Sequence, residues 1–257
     1  MYSNTIDQLS ELASKKAMLI RRSPLGFFIG SMMAGAYVGF GIILVFSIAA
    51  GLDPSVQKPA MGVSFGVALT LVVFAGAELF TGHTMYMTLG WLTKQTSAKD
   101  LAASWSLTWL GNLAGAFTLA FIFYLGGGGV LLNAGSDLLY GITDAKMNGS
   151  AISLLAKGIL CNWLVCLALW MAARTTNDTA KCIVIFWALY AFIASGFEHS
   201  VANMTLFCIA LLGNHPETIS IAGMGHNLLW VTIGNIISGS LFMATAYWYA
   251  TIAPAKS

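Results

Sequence analysis

Two stretches of the 257-residue chain carry ionisable side chains inside long apolar runs, and they read as copies of one another. Ala75-Gly76-Ala77-Glu78-Leu79-Phe80-Thr81-Gly82-His83-Thr84-Met85 and Ala194-Ser195-Gly196-Phe197-Glu198-His199-Ser200-Val201-Ala202-Asn203-Met204 each have Gly-x-Glu followed by a His and a Met. An ionisable group within a membrane-spanning segment costs roughly 2.5 to 3.5 kcal/mol on insertion scales. Such a repeated pair marks either a functional site or a pair of buried helix–helix hydrogen bonds. Imidazole exchanges its proton near neutrality, with an unperturbed pKa of about 6.5. In an apolar passage His199 can therefore offer a proton or positive charge to a small anion that pays heavily for losing its water. A weak-acid anion that takes the proton becomes neutral and escapes that barrier. The bland alternative for His199 is a structural hydrogen-bonder. Phe192, His199 and Asn203 are spaced by seven and four, which predicts one shared helical face.

Glu78 and Glu198 are expected to be scaffold rather than substrate ligands, accepting backbone N–H groups freed where a helix is interrupted. Two free carboxylates on an anion path would repel the cargo. Lys157 falls in the outer half of an apolar run, where it either attracts anions or neutralises a Glu. Asn162 lies a little further along the same run and can donate to an anion without adding charge. Thr81, Gly82, His83 and Thr84 gather hydroxyls, a flexible residue and a second imidazole. A helix restarting there would aim its N-terminal amides at an anion, with Leu79 and Phe80 closing the passage beside it. His226 and Asn227 are expected at a membrane boundary.

The elements that must position these residues are transmembrane helices. With 58% hydrophobic and 9% charged residues the chain is excluded from the soluble class. Six apolar runs, at 24 to 50, 60 to 91, 103 to 125, 151 to 172, 182 to 212 and 221 to 250, each reach the twenty or so residues that cross about 30 Å of hydrocarbon. Residues 1–23 carry Ile6, Leu9, Ala13, Ala17 and Ile20 at helical spacing and no apolar leader core, predicting a retained amphipathic helix. That helix lies against a membrane or partner, or is a plain soluble cap. With the N-terminus in the cytoplasm, the inner side receives Lys15, Lys16, Arg21, Arg22, Lys94, Lys99, Arg174, Lys181 and Lys256 against Lys58 and Lys146 outside, so both ends are expected inside. Residues 253–257 form a short cytoplasmic tail. The basic residues are spread over several loops, not gathered as a nucleic-acid partner requires.

The internal similarity extends further. Trp109-Leu110-Gly111-Asn112-Leu113-Ala114-Gly115 echoes Thr232-Ile233-Gly234-Asn235-Ile236-Ile237-Ser238-Gly239. The membrane domain, 24–252, thus divides into halves at 24–125 and 151–250. Three spans per half force the second copy to run in from the opposite side, which places a site near the midplane. The second and fifth runs exceed one straight crossing and must tilt or break. Prolines fall at ends or loops, so Gly82 and Gly196 are the candidate break points. Gly26/Gly30, Gly35/Gly39, Gly62/Gly66 and Gly111/Gly115 allow close helix approach, within a protomer or between protomers. Residues 126–150 read as one long surface loop. Cys161, Cys166, Cys182 and Cys208 lack Cys-x-x-Cys spacing and read as small core residues.

Leu79-Phe80-Thr81-Gly82-His83-Thr84, Lys157-Gly158-Ile159-Leu160-Cys161-Asn162-Trp163 and Gly196-Phe197-Glu198-His199-Ser200-Val201-Ala202-Asn203-Met204 together closely resemble the formate/nitrite transporter family, on its nitrite branch. The resemblance runs through nearly the whole chain, from Pro24-Leu25-Gly26-Phe27 to Trp248-Tyr249-Ala250-Thr251. It implies an all-α, aquaporin-like protomer of six transmembrane helices with the second and fifth interrupted, in a homopentamer with one pore per protomer. By the same resemblance His199 is the central pore histidine and Thr81 the loop threonine that contacts it. Phe65 and Phe192 would form the outer constriction, and Leu69, Leu79, Phe80 and Val165 the inner one. Asn162 would be a polar pore residue. His83 departs from the formate-type pattern, where a small residue is usual, and so favours nitrite.

Together these readings describe a bacterial inner-membrane channel or secondary transporter, not an enzyme, for nitrite and related small monovalent anions. Its partners are those anions, protons and the lipid bilayer. Its substrate pathway comprises His199, Thr81, Asn162, Asn203, Lys157 and His83, with Glu78 and Glu198 as structural polar groups and no metal or other cofactor. The alternatives are a formate or hydrosulfide channel, a neutral-solute channel, and a membrane haem or metal enzyme built on His83, His199 and the two Glu residues.

Overall fold

A computed structural model describes residues 2–252, and the elements among them are all helical. In chain order they are α1 (Ser3–Arg22), α2 (Pro24–Ala49), α3 (Pro54–Ala75), α4 (Phe80–Leu92), α5 (Ala98–Leu125), α6 (Ser136–Met147), α7 (Ala151–Ala173), α8 (Asp178–Ala194), α9 (Ser200–Leu212) and α10 (Ile221–Ile237). A π-helical stretch, Ser238–Thr245, then leads into α11 (Ala246–Ile252). The expected tail 253–257, with Lys256, lies outside the described residues.

Local chemistry sets the boundaries. Pro24 and Pro54 sit in the first turns of α2 and α3, where the missing N–H costs nothing. Asp53 caps α3 by accepting from Ser55 N at 2.9 Å, and this hydrogen bonding to Ser55 lowers the Asp53 carboxyl pKa. The second run therefore begins at Pro54, not at 60, and Pro59 lies inside the helix rather than at its end. Ser97 and Asp100 form a reciprocal capping box at the start of α5.

The order of elements repeats. α2, α3, α4 and α5 are matched by α7, α8, α9 and α10, and the third member of each set is a short helix of 13 residues. α2 packs on α5, α7 packs on α10, and α3 and α8 join the sets. Glycine makes the first two contacts close: a methyl on Gly115 would strike the Met32 backbone, and one on Gly234 the Leu155 carbonyl. Gly62 and Gly66 likewise face Tyr190 and Phe186 of α8. These contacts lie within one protomer.

Five described stretches, Pro24–Ala49, Pro54–Ala75, Ala98–Leu125, Ala151–Ala173 and Ile221–Thr251, are long and apolar enough to cross a membrane. Their outward faces carry Leu25, Ile29, Phe121, Ile122 and Leu241 exposed. α1 is amphipathic as expected, with Ile6, Leu9, Ala13 and Ala17 buried, and it packs on the protein's own helices. Arg21 grips Asp100 of α5 through three contacts of 3.1, 2.7 and 2.6 Å. Tyr2 meets Tyr247, which stacks on Trp170. The long loop expected at 126–150 contains a helix, α6, ending at Met147. Its role is to carry Lys146 back toward α9.

Candidate functional site

The second and fifth apolar runs each leave helical geometry once, between Ala75 and Phe80 and between Ala194 and Ser200. The left-handed glycines at these points are Gly76 (φ 76°) and Gly196 (φ 72°). Gly82 and Gly196 were the expected break points; the chain does turn at Gly196, but Gly82 lies in the first turn of α4 and the first break falls at Gly76 instead. A side chain with a Cβ is disfavoured at positive φ, so the glycines permit the turn. Each turn exposes backbone groups that must find partners at membrane depth.

Two asparagines meet that need. Asn112 Oδ1 accepts from Phe80 N at 2.9 Å, and its Nδ2 donates to the Glu78 carbonyl at 2.9 Å and the Ser31 carbonyl at 2.7 Å. Asn235 Oδ1 accepts from Ser200 N at 3.1 Å, and its Nδ2 donates to the Glu198 and Gly158 carbonyls at 3.2 and 2.8 Å. The carboxylates of Glu78 and Glu198 were expected to take the freed N–H groups; the shorter, neutral asparagines do so instead. Both lay in the Gly-Asn echo of the sequence, and that repeat was the signal for them.

The residue held between the Asn235 contacts is His199. It caps α9, its Nδ1 accepting from Ala202 N at 3.1 Å, which leaves Nε2 as the donor of the neutral ring. Nε2 lies 3.2 Å from Thr81 Oγ1, across the two halves of the chain. Phe192 stacks on the imidazole (centroids 5.9 Å, 18°) and meets Phe65 edge-on at 5.7 Å. The expected single face carrying Phe192, His199 and Asn203 does not form: Phe192 lies in the last turn of α8 while His199 follows the break. A cavity of about 10 Å³, the space of a single water, is lined by Phe65, Leu69, Leu79, Val165, Phe192 and His199 together with Val38, Ala68 and Leu189. Of the expected constriction residues Phe80 alone is not among its walls. Phe80 is buried beside it and contributes its N–H to Asn112.

Asn162 is fully buried, and its amide donates to Thr84 Oγ1 at 3.0 Å, the Asn235 carbonyl at 2.6 Å and the Thr81 carbonyl at 3.3 Å. It holds the Thr81 turn against the opposite half. Gly239, in the π-helical stretch, lies so close to Thr84 that a methyl there would collide with its hydroxyl.

Two polar hubs flank this centre. On the α1 side Lys16 Nζ pairs with Glu78 Oε1 at 2.5 Å, and His83 Nε2 contacts Glu78 Oε2 at 2.8 Å. His83 Nδ1 meets Ser104 Oγ at 2.7 Å. Glu78 and His83 face a cavity of about 690 Å³, also lined by Lys15, Lys16, Arg174 and Lys181. Glu11 lines it as well; its hydrogen bond and charge contact with Lys15 lower its pKa. On the opposite side Lys146 Nζ pairs with Glu198 Oε2 at 2.8 Å, and Asn203 Nδ2 donates to the same oxygen at 2.6 Å. Asn203 also donates to Asn227 Oδ1 at 2.9 Å, and Asn227 to the Lys146 carbonyl at 2.8 Å. Asn227 is thus buried within the hub. The lysine on Glu198 is Lys146, which the sequence showed only as a loop charge. Lys157 is exposed on α7 and gives Glu198 N its carbonyl at 3.3 Å. Among the described residues no three His, Cys, Asp or Glu side chains gather as a metal site.

The sequence pattern of the formate/nitrite transporter family matches residues 3–249. The chain is 52% identical over 251 residues to the nitrite transporter NirC of Escherichia coli (strain K12), covering 98% of this chain and 93% of that one. A solved FNT family ion channel superposes with a TM-score of 0.94 at 52% identity, over 96% of this chain and 99% of the other. A pentameric formate channel with formate bound superposes with a TM-score of 0.77 at 26% identity, over 90% and 99% of the two chains.

Proposed function

The chain belongs to the formate/nitrite transporter family, and from that membership we propose that it is a bacterial inner-membrane channel or secondary transporter for nitrite and related small monovalent anions. The observation that carries the reading is His199, the one polar residue lining an otherwise apolar cavity, with Thr81 Oγ1 3.2 Å from its Nε2. An anion between the Phe65/Phe192 rings and the Leu69/Leu79/Val165 wall loses its water. The Nε2–H of His199 and the Thr81 hydroxyl are the groups placed to replace it.

Hydrogen-bond donation from Nε2 leaves the Ala202 cap in place and asks only that the Nε2–H be turned or shared from Thr81 Oγ1 to the anion. Full proton supply requires the ring to take a second proton at Nδ1, which displaces the Ala202 N–H bond. The neutral donor therefore stabilises the ion in place, and the cationic ring hands it a proton at the expense of that cap.

In this reading six spans cross the bilayer, α3 with α4 forming an interrupted second and α8 with α9 an interrupted fifth. The repeated element order and the paired asparagines support two inverted halves, 24–125 and 151–250. The excess of lysine and arginine on the α1 side supports cytoplasmic termini. The exposed apolar flanks and the pentameric formate channel of similar fold support a homopentamer with one pore per protomer. Asn162, Asn203, Lys157 and His83 join the pathway as polar or charged supports, and Glu78 and Glu198 anchor its two hubs.

Reconstitution into liposomes tests the proposal. Nitrite, formate and hydrosulfide flux is measured at two pH values for the wild type and H199Q. Nitrite flux that falls and loses its pH dependence in H199Q is expected; equal flux at both pH values in both proteins removes His199 from the mechanism. Preference for formate or hydrosulfide over nitrite would reassign the cargo within the same pore.

A further inference from the structure

The two hubs occupy equivalent places in the two halves, yet they are chemically unequal. Five residues after Glu78 stands His83, and five after Glu198 stands Asn203. Each contacts the Oε2 of its own glutamate, at 2.8 and 2.6 Å, while a lysine from a helix outside its repeat, Lys16 or Lys146, pairs with the same carboxylate. Each also has a third polar partner, Ser104 for His83 and Asn227 for Asn203. The amide of Asn203 cannot change charge, whereas imidazole can.

We propose that His83 is a second proton site, at the α1-side mouth only, through which the pH of that compartment sets the positive charge of the vestibule and hence its affinity for the incoming anion. The proposal rests on the anion-pathway reading above. His83 is 2% exposed, but its side chain forms part of the wall of the 690 Å³ cavity, so a proton has a route from water. Taking it up moves no heavy atom. Nε2–H already points at Glu78, the new proton sits on Nδ1, and the Ser104 hydroxyl turns from donor to acceptor.

The charges around the ring define the consequence. Lys16 faces it from α1, with Glu11 and Lys15 on the same cavity; Glu78 faces it from the turn, and Tyr86 from α4 itself. From α5 come Ser104 and, further out, Asp100, which Arg21 holds. Arg174, capping the end of α7, and Lys181 of α8 stand on the cavity wall, Cys166 of α7 lies on the Thr81 carbonyl, and His199, the cap of α9, lies beyond Thr81. With Lys16 and Glu78 cancelling, the Lys16–Glu78–His83 hub is neutral when His83 is neutral and gains one positive charge when it is protonated. One added charge facing a wet cavity raises anion occupancy by roughly three- to sixfold.

The test measures nitrite KM and kcat in oriented proteoliposomes, with pH stepped from about 8 to about 5.5 on one side at a time. For the wild type, acid on the α1 side is expected to lower KM roughly three- to sixfold, with the effect in KM rather than kcat. H83N places at this site the residue that the opposite hub already holds, and it is expected to fix KM at its alkaline value. N203H is expected to create the mirrored response, a KM that falls with acid on the far side. A wild-type KM indifferent to α1-side pH overturns the proposal without recourse to any variant, as does full dependence retained in H83N. Should H83N fail to fold, H83Q decides the question in the same way. Absence of nitrite flux from the wild type at every pH would instead overturn the transport reading itself.

Discussion

Asn112 and Asn235 make the same three hydrogen bonds to the two non-helical turns. Each takes the N–H of the first residue of a short helix and gives its amide to the carbonyl two residues before it, and to a carbonyl on the first long helix of its own half. Between the held groups lie Leu79 in one turn and His199 in the other. One residue of each pair of contacts thus presents a wall or a donor to the same cavity.

N112A and N235A each leave one buried N–H and two carbonyls without a side-chain partner. Each is expected to destabilise the detergent-solubilised protein by about 2 to 4 kcal/mol, since an unsatisfied buried group costs about 1 to 3. Thermal unfolding checks the figure, and a loss under about 0.5 kcal/mol would show that the turns find other partners. N235A is also expected to lower nitrite flux, because His199 loses its fixed backbone.

T81A removes the hydroxyl that meets His199 Nε2, and T81S keeps it. A neutral hydrogen bond contributes about 0.5 to 1.5 kcal/mol, so T81A is expected to slow nitrite flux roughly two- to tenfold while T81S stays near the wild type. Equal slowing in both variants would point to the threonine methyl and away from the hydroxyl.

L79A enlarges the cavity of about 10 Å³ on one wall. Larger carboxylate anions such as acetate are expected to gain flux relative to nitrite, at a stability loss of about 2 to 4 kcal/mol. An unchanged acetate-to-nitrite flux ratio would mean that this leucine does not set the width of the passage.

R21A removes the cation that anchors the end of α1 to Asp100, leaving the Asp100 contacts with Ser97 in place. Because Arg21 is largely exposed, the expected weakening is about 0.5 to 1 kcal/mol and local. Hydrogen exchange should quicken in the last turns of α1 and remain slow in α2 and α5; uniform quickening throughout would contradict a local anchor.

The sequence by itself determined the helical membrane class, the amphipathic α1 and the likeness of the two Glu/His segments. These rest on composition, on periodicity and on the likeness of distant stretches, all of which the residues display before the chain folds. It also held Asn112 and Asn235, but only as an echo without a role. The tertiary structure alone decided which polar groups meet. The backbone turn at Gly196 takes Phe192 and His199 off a common helix and then stacks their rings, a result no spacing rule predicts. Lys16 and Lys146 reach Glu78 and Glu198 from helices outside the repeat, 62 and 52 residues away in the chain, and nothing local to either lysine names its partner. The physical reason is that buried polar groups pair with whatever donor the packing brings within about 3 Å, and packing is a property of all the helices together.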